Sequence, residues 1–169
     1  ELTSTAPDVN RVKSEVYVTA AAINGLVLSY LQALEASSTS INGLQVNTAL
    51  RQNALLEEML ALCLCIVLEV DVADSLTTLQ IQMDLFSESH DGLLSGLNFV
   101  GLPSSVNMCI LRDMGSVSDL WSPFKLDLQE ITFAGEVSDA SESVVVSAHP
   151  ALVAVMDTAA QGYLTSPTG

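Results

Sequence analysis

Basic side chains are scarce in this sequence. Five Lys and Arg residues stand against 20 Asp and Glu residues among 169, which gives a formal net charge of −15. A protein that binds nucleic acid needs a basic surface to neutralise phosphates, and docking on an anionic membrane surface needs the same sign of charge. We therefore expect no nucleic-acid partner and regard a membrane partner as disfavoured.

Charge of either sign is also low. Charged residues make up 15% of the chain, against about 25% in typical soluble domains, while 49% of the residues are apolar and the mean hydropathy is +0.43. Such a chain has too few charges to cover the surface of a monomer in the usual way. Large exposed apolar patches usually mark contacts with other chains, so the composition predicts self-association or assembly with other subunits.

Cysteine is sparse and unpatterned. Cys63, Cys65 and Cys109 form an odd set without a CxxC motif, and we interpret them as three buried small apolar residues. The alternative is a disulfide between Cys109 and one of the other two, with one thiol left free. A zinc site is not expected, because residues i and i+2 of a helix diverge and only His90 and His149 are available as further ligands.

No catalytic or ligand-binding motif stands out. Ser89–Asp91 spells Ser-His-Asp, but adjacent residues rarely converge on one reacting atom, so a solvated turn is the preferred interpretation. Glu69, Asp71 and Asp74 lack the loop pattern of a calcium site. We predict a protein without enzymatic activity, cofactor or metal.

The longest strongly apolar stretch is Asn53–Val72. Its apolar residues recur with helical spacing, which predicts a core helix over Val46–Val70. The β-branched segment Cys63–Val72 is also compatible with a buried strand. Earlier in the chain, Val16–Leu34 contains 19 residues without a charge; we expect a second helix packed on the first, with a membrane span as the less favoured alternative.

The second half of the chain shows alternating apolar and polar residues, which is typical of half-buried strands. The candidate strands are Leu76–Phe86, Val106–Arg112, Phe124–Phe133 and Val144–Ala148. A change of phase at Gln129 and Glu130 predicts a β-bulge.

These elements predict an α+β fold: an N-terminal pair of packed helices followed by a mostly antiparallel β-sheet of about four or five strands. We expect a single domain with an extended arm (1–10), a helical part (14–72), a β part (76–148) and a short helix and tail (150–169).

With its low charge and polar arms, the chain resembles accessory subunits of phage capsids and tails or of extracellular filaments. This implies a structural subunit of a symmetric assembly, located in a virion or outside the cell. The residues predicted to contact partners are Leu2 and Tyr163 in the arms and Trp121 in a loop. The alternatives are a secreted or cell-surface binding module that uses the Trp121 loop, and a small hydrolase-like enzyme.

Overall fold

The computed structural model describes residues 43–96, 102 and 104–165, which belong to one compact unit, Ser40–Gly169. Of these described residues 88% are helical, and they include no strand or sheet. The expected α+β fold is therefore wrong, and the described part is all-α. Its helices are α1 (Gly43–Val67), α2 (Val72–Ser95), α3 (Met108–Ala134) and α4 (Asp139–Thr165).

Neighbouring helices run antiparallel. α1 contacts α2 and α4, and α3 also contacts α2 and α4. Four-residue turns, 68–71 and 135–138, join α1 to α2 and α3 to α4. Both turns lie at one end of the bundle, because a Cβ added to Gly135 would stand 4.0 Å from Leu76 Cδ1 at the start of α2. We call this the turn end, and the opposite end, which holds residues 96 and 104–107, the linker end.

The helix expected over Val46–Val70 is confirmed as α1, shifted by three residues toward the N-terminus. Cys63–Val67 is helical, so the strand alternative is wrong for that segment. The chain reverses after Val67, where Glu69 and Asp71 take left-handed φ values of 55° and 45°.

The predicted strand Leu76–Phe86 is part of α2. Its alternation was misleading because Ile81 and Leu85 are 51% and 37% exposed. The buried positions follow helical spacing and continue through Ser89–Asp91, the segment predicted as a turn. They are Leu79, Met83, Phe86, His90 and Leu93.

The predicted strands Val106–Arg112 and Phe124–Phe133 and the loop around Trp121 merge into the single helix α3, which begins at Met108. The expected β-bulge is wrong, since the step from Leu128 to Ile131 is one helical turn along the buried face. Pro123 lies inside this helix.

The predicted strand Val144–Ala148 and the predicted helix from Pro150 form one helix, α4. Of the three consecutive valines only Val145 is buried. Pro150 lies within this helix. The helix predicted over Val16–Leu34, the arm 1–10 and residues 166–169 of the tail lie outside the described residues.

Candidate functional surfaces

An aromatic cluster fills the space between α2 and α3. The Phe86 and Trp121 rings have centroids 4.2 Å apart, and Phe124 stands 6.0 Å from Trp121. Trp121 is 6% exposed and Phe86 fully buried. Tilted pairs at these distances add to the energy of burial. Trp121 thus lies in the core of the described unit and not in a loop, and whether it also meets a partner stays a prediction.

Ser87 connects this cluster to polar groups. Its hydroxyl accepts hydrogen bonds from Trp121 Nε1 at 3.3 Å and Lys125 Nζ at 2.9 Å, and donates to the Met83 carbonyl oxygen at 2.8 Å. A hydroxyl has one donor and two acceptor positions. All three are used, so Ser87 satisfies the polar atoms that accompany the buried indole.

His90 is buried next to the same cluster. Its ring stacks on Phe86, with centroids 5.9 Å apart and an interplanar angle of 11°, and its Nε2 lies 2.7 Å from Ser118 Oγ. Burial lowers the pKa of His90 below its ordinary value of 6.5, and the nearby Asp91 carboxylate opposes that shift only in part. His90 is therefore a neutral core histidine at neutral pH.

The His90–Ser118 pair has the spacing of a base and a nucleophile, with a direction of hydrogen bonding that depends on the tautomer of the ring. Ser118 Oγ also lies 3.2 Å from the Met114 carbonyl oxygen, which competes for its proton. His90 Nδ1 has no partner among the described residues, and no carboxylate orients the ring as a triad would require. This geometry favours a structural role for the pair.

Two polar contacts set the register of α1 and α4. The Asn53 side-chain amide donates to Asp157, and His149 Nε2 lies 3.8 Å from Glu57 Oε1. The latter distance is beyond a direct hydrogen bond. From this antiparallel register, Leu64 lies level with the turn of α4 that contains Val146. These two side chains are 47% and 54% exposed, so the outer edge of the α1–α4 contact is apolar.

The middle of α4 is also uncharged. No Asp, Glu, Lys or Arg occurs between Glu142 and Asp157. One segment among the described residues, Ser141–Thr165, has the length and composition of a membrane-crossing helix, although only 33% of its most apolar window is buried. We give the name α1–α4 face to eight exposed uncharged residues of the two helices: Ala61, Leu64, Ser143, Val146, Ser147, Pro150, Ala151 and Ala154.

Tyr163, predicted as an arm contact, is 4% exposed near the end of α4. Its hydroxyl donates to the Leu93 carbonyl oxygen at 3.3 Å. Burial raises its pKa to about 12, although a hydrogen bond with Ser105 lowers it slightly. Tyr163 therefore fastens α4 to the end of α2, while Leu2, the other predicted arm contact, lies outside the described residues.

A half-open groove of about 230 Å³ separates α1 from α2 near the linker end. Among the described residues that line it, Arg51 is the only charged one. The other lining residues are Leu44, Asn47, Thr48, Leu55, Leu85, Ser89 and Leu102.

No group of three His, Cys, Asp or Glu side chains among the described residues is arranged to hold a metal ion. Cys63, Cys65 and Cys109 are free thiols, so the disulfide alternative is not realised. Cys63 is buried as expected, and burial raises its pKa to about 12, but Cys109 is exposed.

Comparisons of this chain with protein-family models, with curated proteins and with solved structures give no match. The functional argument therefore depends on the geometry alone.

Proposed function

We propose that this protein is a non-enzymatic subunit of a symmetric assembly and that copies join through the α1–α4 face. The observation that carries the proposal is the middle of α4, where Val146, Pro150, Ala151 and Ala154 are exposed and no charged residue occurs from Ser143 to Met156. Burying that surface against a second copy removes it from water. A virion or an extracellular filament remains the proposed setting.

The dimensions suit a stable contact. α4 has 27 residues and is about 40 Å long at 1.5 Å per residue. With packed helices about 10 Å apart, α1 and α4 together present roughly 800 Å², which is about what each partner buries in a standard interface.

Charge also favours a second copy on this face. A two-fold contact places identical surfaces against each other, so a charged face would repel itself. The stretch from Ser143 to Met156 contains no charged residue, and the small exposed side chains Ser147, Ala151 and Ala154 permit close approach of two helices.

The alternative of a binding module depended on an exposed loop around Trp121. That residue lies buried inside α3, which removes the observation that favoured it. The His90–Ser118 geometry described above likewise gives no support to the hydrolase alternative.

Light scattering of the full chain over a range of micromolar concentrations tests the proposal. We expect a mass that is a multiple of 17.9 kDa. Ser147→Glu should weaken association at least tenfold, because like charges then face each other across the two-fold axis.

Ser122→Glu is the matched control. Ser147 and Ser122 are both exposed helical serines whose hydroxyls bond a preceding carbonyl, but Ser122 lies on α3. We expect the Ser122→Glu variant to associate as tightly as the wild-type protein. A monomer at every concentration, or equal losses in both variants, would contradict the proposal.

A further inference from the structure

The turn end exposes large apolar side chains in addition to the α1–α4 face. Phe133, at the end of α3, is 94% exposed, and Leu68, in the turn after α1, is 68% exposed. Ala134, which follows Phe133, and Ala73, at the start of α2, are also exposed. A phenylalanine ring that stays exposed to water does not contribute the stabilisation that its burial would give.

The same segments are strongly acidic. Residues 68–74 and 133–139 contain Glu69, Asp71, Asp74, Glu136 and Asp139. The chain has no Lys or Arg from position 52 to 111 or from 126 to 169, so neither segment carries a cation of its own. The N-termini of α2 and α4 lie here, but their partial positive charges offset only part of five carboxylates.

These carboxylates are not gathered around one point. No metal-binding group of side chains occurs among the described residues, and the five acids are distributed over two turns. A surface with dispersed negative charge and exposed apolar side chains complements a partner that carries several positive charges on an apolar scaffold.

We propose that the turn end binds a basic amphipathic polypeptide segment of another protein. Its apolar side chains would cover Phe133 and Leu68, and its Lys and Arg side chains would lie against the surrounding carboxylates. A second copy of this chain is a poor occupant of this end, because it would bring the same acidic residues and repel. An anionic lipid surface is disfavoured for the same reason.

The linker end provides an internal contrast. Val106 and Met108 are exposed there by 80% and 76%, so apolar exposure is comparable. Arg112 follows within the first turns of α3 and pairs with Asp113 at 3.0 Å. The two ends therefore differ chiefly in charge, which lets an experiment separate charge complementarity from simple apolar adhesion.

The test is a titration of the full chain with a fluorescent synthetic helix made of Leu on one face and Lys on the other. We expect binding that weakens steeply with added salt. Phe133→Ser and the double variant Glu69→Gln/Glu136→Gln should each reduce affinity about tenfold. These side chains are exposed, and unchanged helical circular dichroism would confirm intact folding.

The matched controls are Met108→Ser and the double variant Asp113→Asn/Asp119→Asn. Both should change affinity less than about twofold. Absence of binding at low salt, or equal losses in test and control variants, would overturn the proposal. Ser147→Glu should leave peptide binding unchanged, so a failure here is distinguishable from a failure of self-association through the α1–α4 face.

Discussion

The α1–α4 and α2–α3 pairs use different means of holding together. α2 and α3 are joined by tilted aromatic rings and by hydrogen bonds through Ser87, Ser118 and His90. α1 and α4 bury Leu, Met, Ala and Val side chains and meet through two polar contacts. Directional contacts allow one arrangement, whereas aliphatic surfaces are more tolerant of repacking.

The outer surfaces of the two helix pairs differ in charge. α2 and α3 contain ten charged residues, while α1 and α4, of nearly equal length, contain six. The α2–α3 pair thus has the more charged exterior, although each pair exposes five large apolar side chains. This difference in charge is the reason for placing the proposed contact between copies on α1 and α4.

Removing the Phe86 ring, which lies between α2 and α3, should have the largest effect on the free energy of unfolding. Phe86→Ala should lower the free energy of unfolding by about 3–5 kcal/mol, because a fully buried aromatic ring is lost and a cavity remains. Urea unfolding followed by Trp121 fluorescence measures this change.

Leu64→Ala, on the exposed edge of the α1–α4 contact, is the comparison for Phe86→Ala. It should stay within about 0.5 kcal/mol at concentrations where the chain is monomeric. Equal losses in the two variants would remove the proposed division between the helix pairs.

The pH dependence of stability should depend on His90. Its pKa is lowered in the folded state, so the unfolded chain binds a proton more readily. Stability is therefore complete above pH 6.5, falls as the pH drops below that value by up to about 1.4 kcal/mol per pH unit, and levels off below the folded-state pKa. Unfolding experiments between neutral and mildly acidic pH measure this slope.

Burial of the His90 ring lowers its pKa, and the Asp91 carboxylate on α2 opposes that shift. His90→Gln should flatten the slope, and His149→Gln, in the α1–α4 pair, serves as the control. A slope that persists unchanged in His90→Gln would show that another group is responsible.

The smallest expected change is stabilising. Gly115 lies inside α3 with no atom within 4 Å of where a Cβ would stand. Gly115→Ala should raise the free energy of unfolding by about 0.5–1 kcal/mol, because alanine loses less conformational freedom in a helix. Thermal unfolding measures the gain.

Gly162 gives a contrast in α4, since a Cβ there would lie 3.0 Å from Ile110 Cγ1. Gly162→Ala should raise the free energy of unfolding less than Gly115→Ala does. A larger gain at Gly162 would show that Ile110 moves freely and that the α3–α4 approach is loose.

The errors in the predicted fold have a common origin. Over Leu79–Leu85 and Phe124–Leu128, apolar residues alternate along the chain, and alternation indicates a strand only if every apolar residue is buried. Ile81 and Leu126 are exposed, and once they are set aside the remaining positions have helical spacing. Pro123, Pro150 and the buried His90 further obscured that spacing, because proline and histidine are commonly taken as signs of turns and surface.

The sequence by itself determined that α1 is a core helix, that the surface is acidic and poor in charge, and that no familiar catalytic motif is present. These properties depend on composition and on the local periodicity of long apolar stretches. Only the tertiary structure decided which apolar residues are buried, because burial depends on which helix faces meet. For the same reason it alone brought His90 to Ser118, placed Trp121 in the core, and left Val146 of α4 and Phe133 exposed.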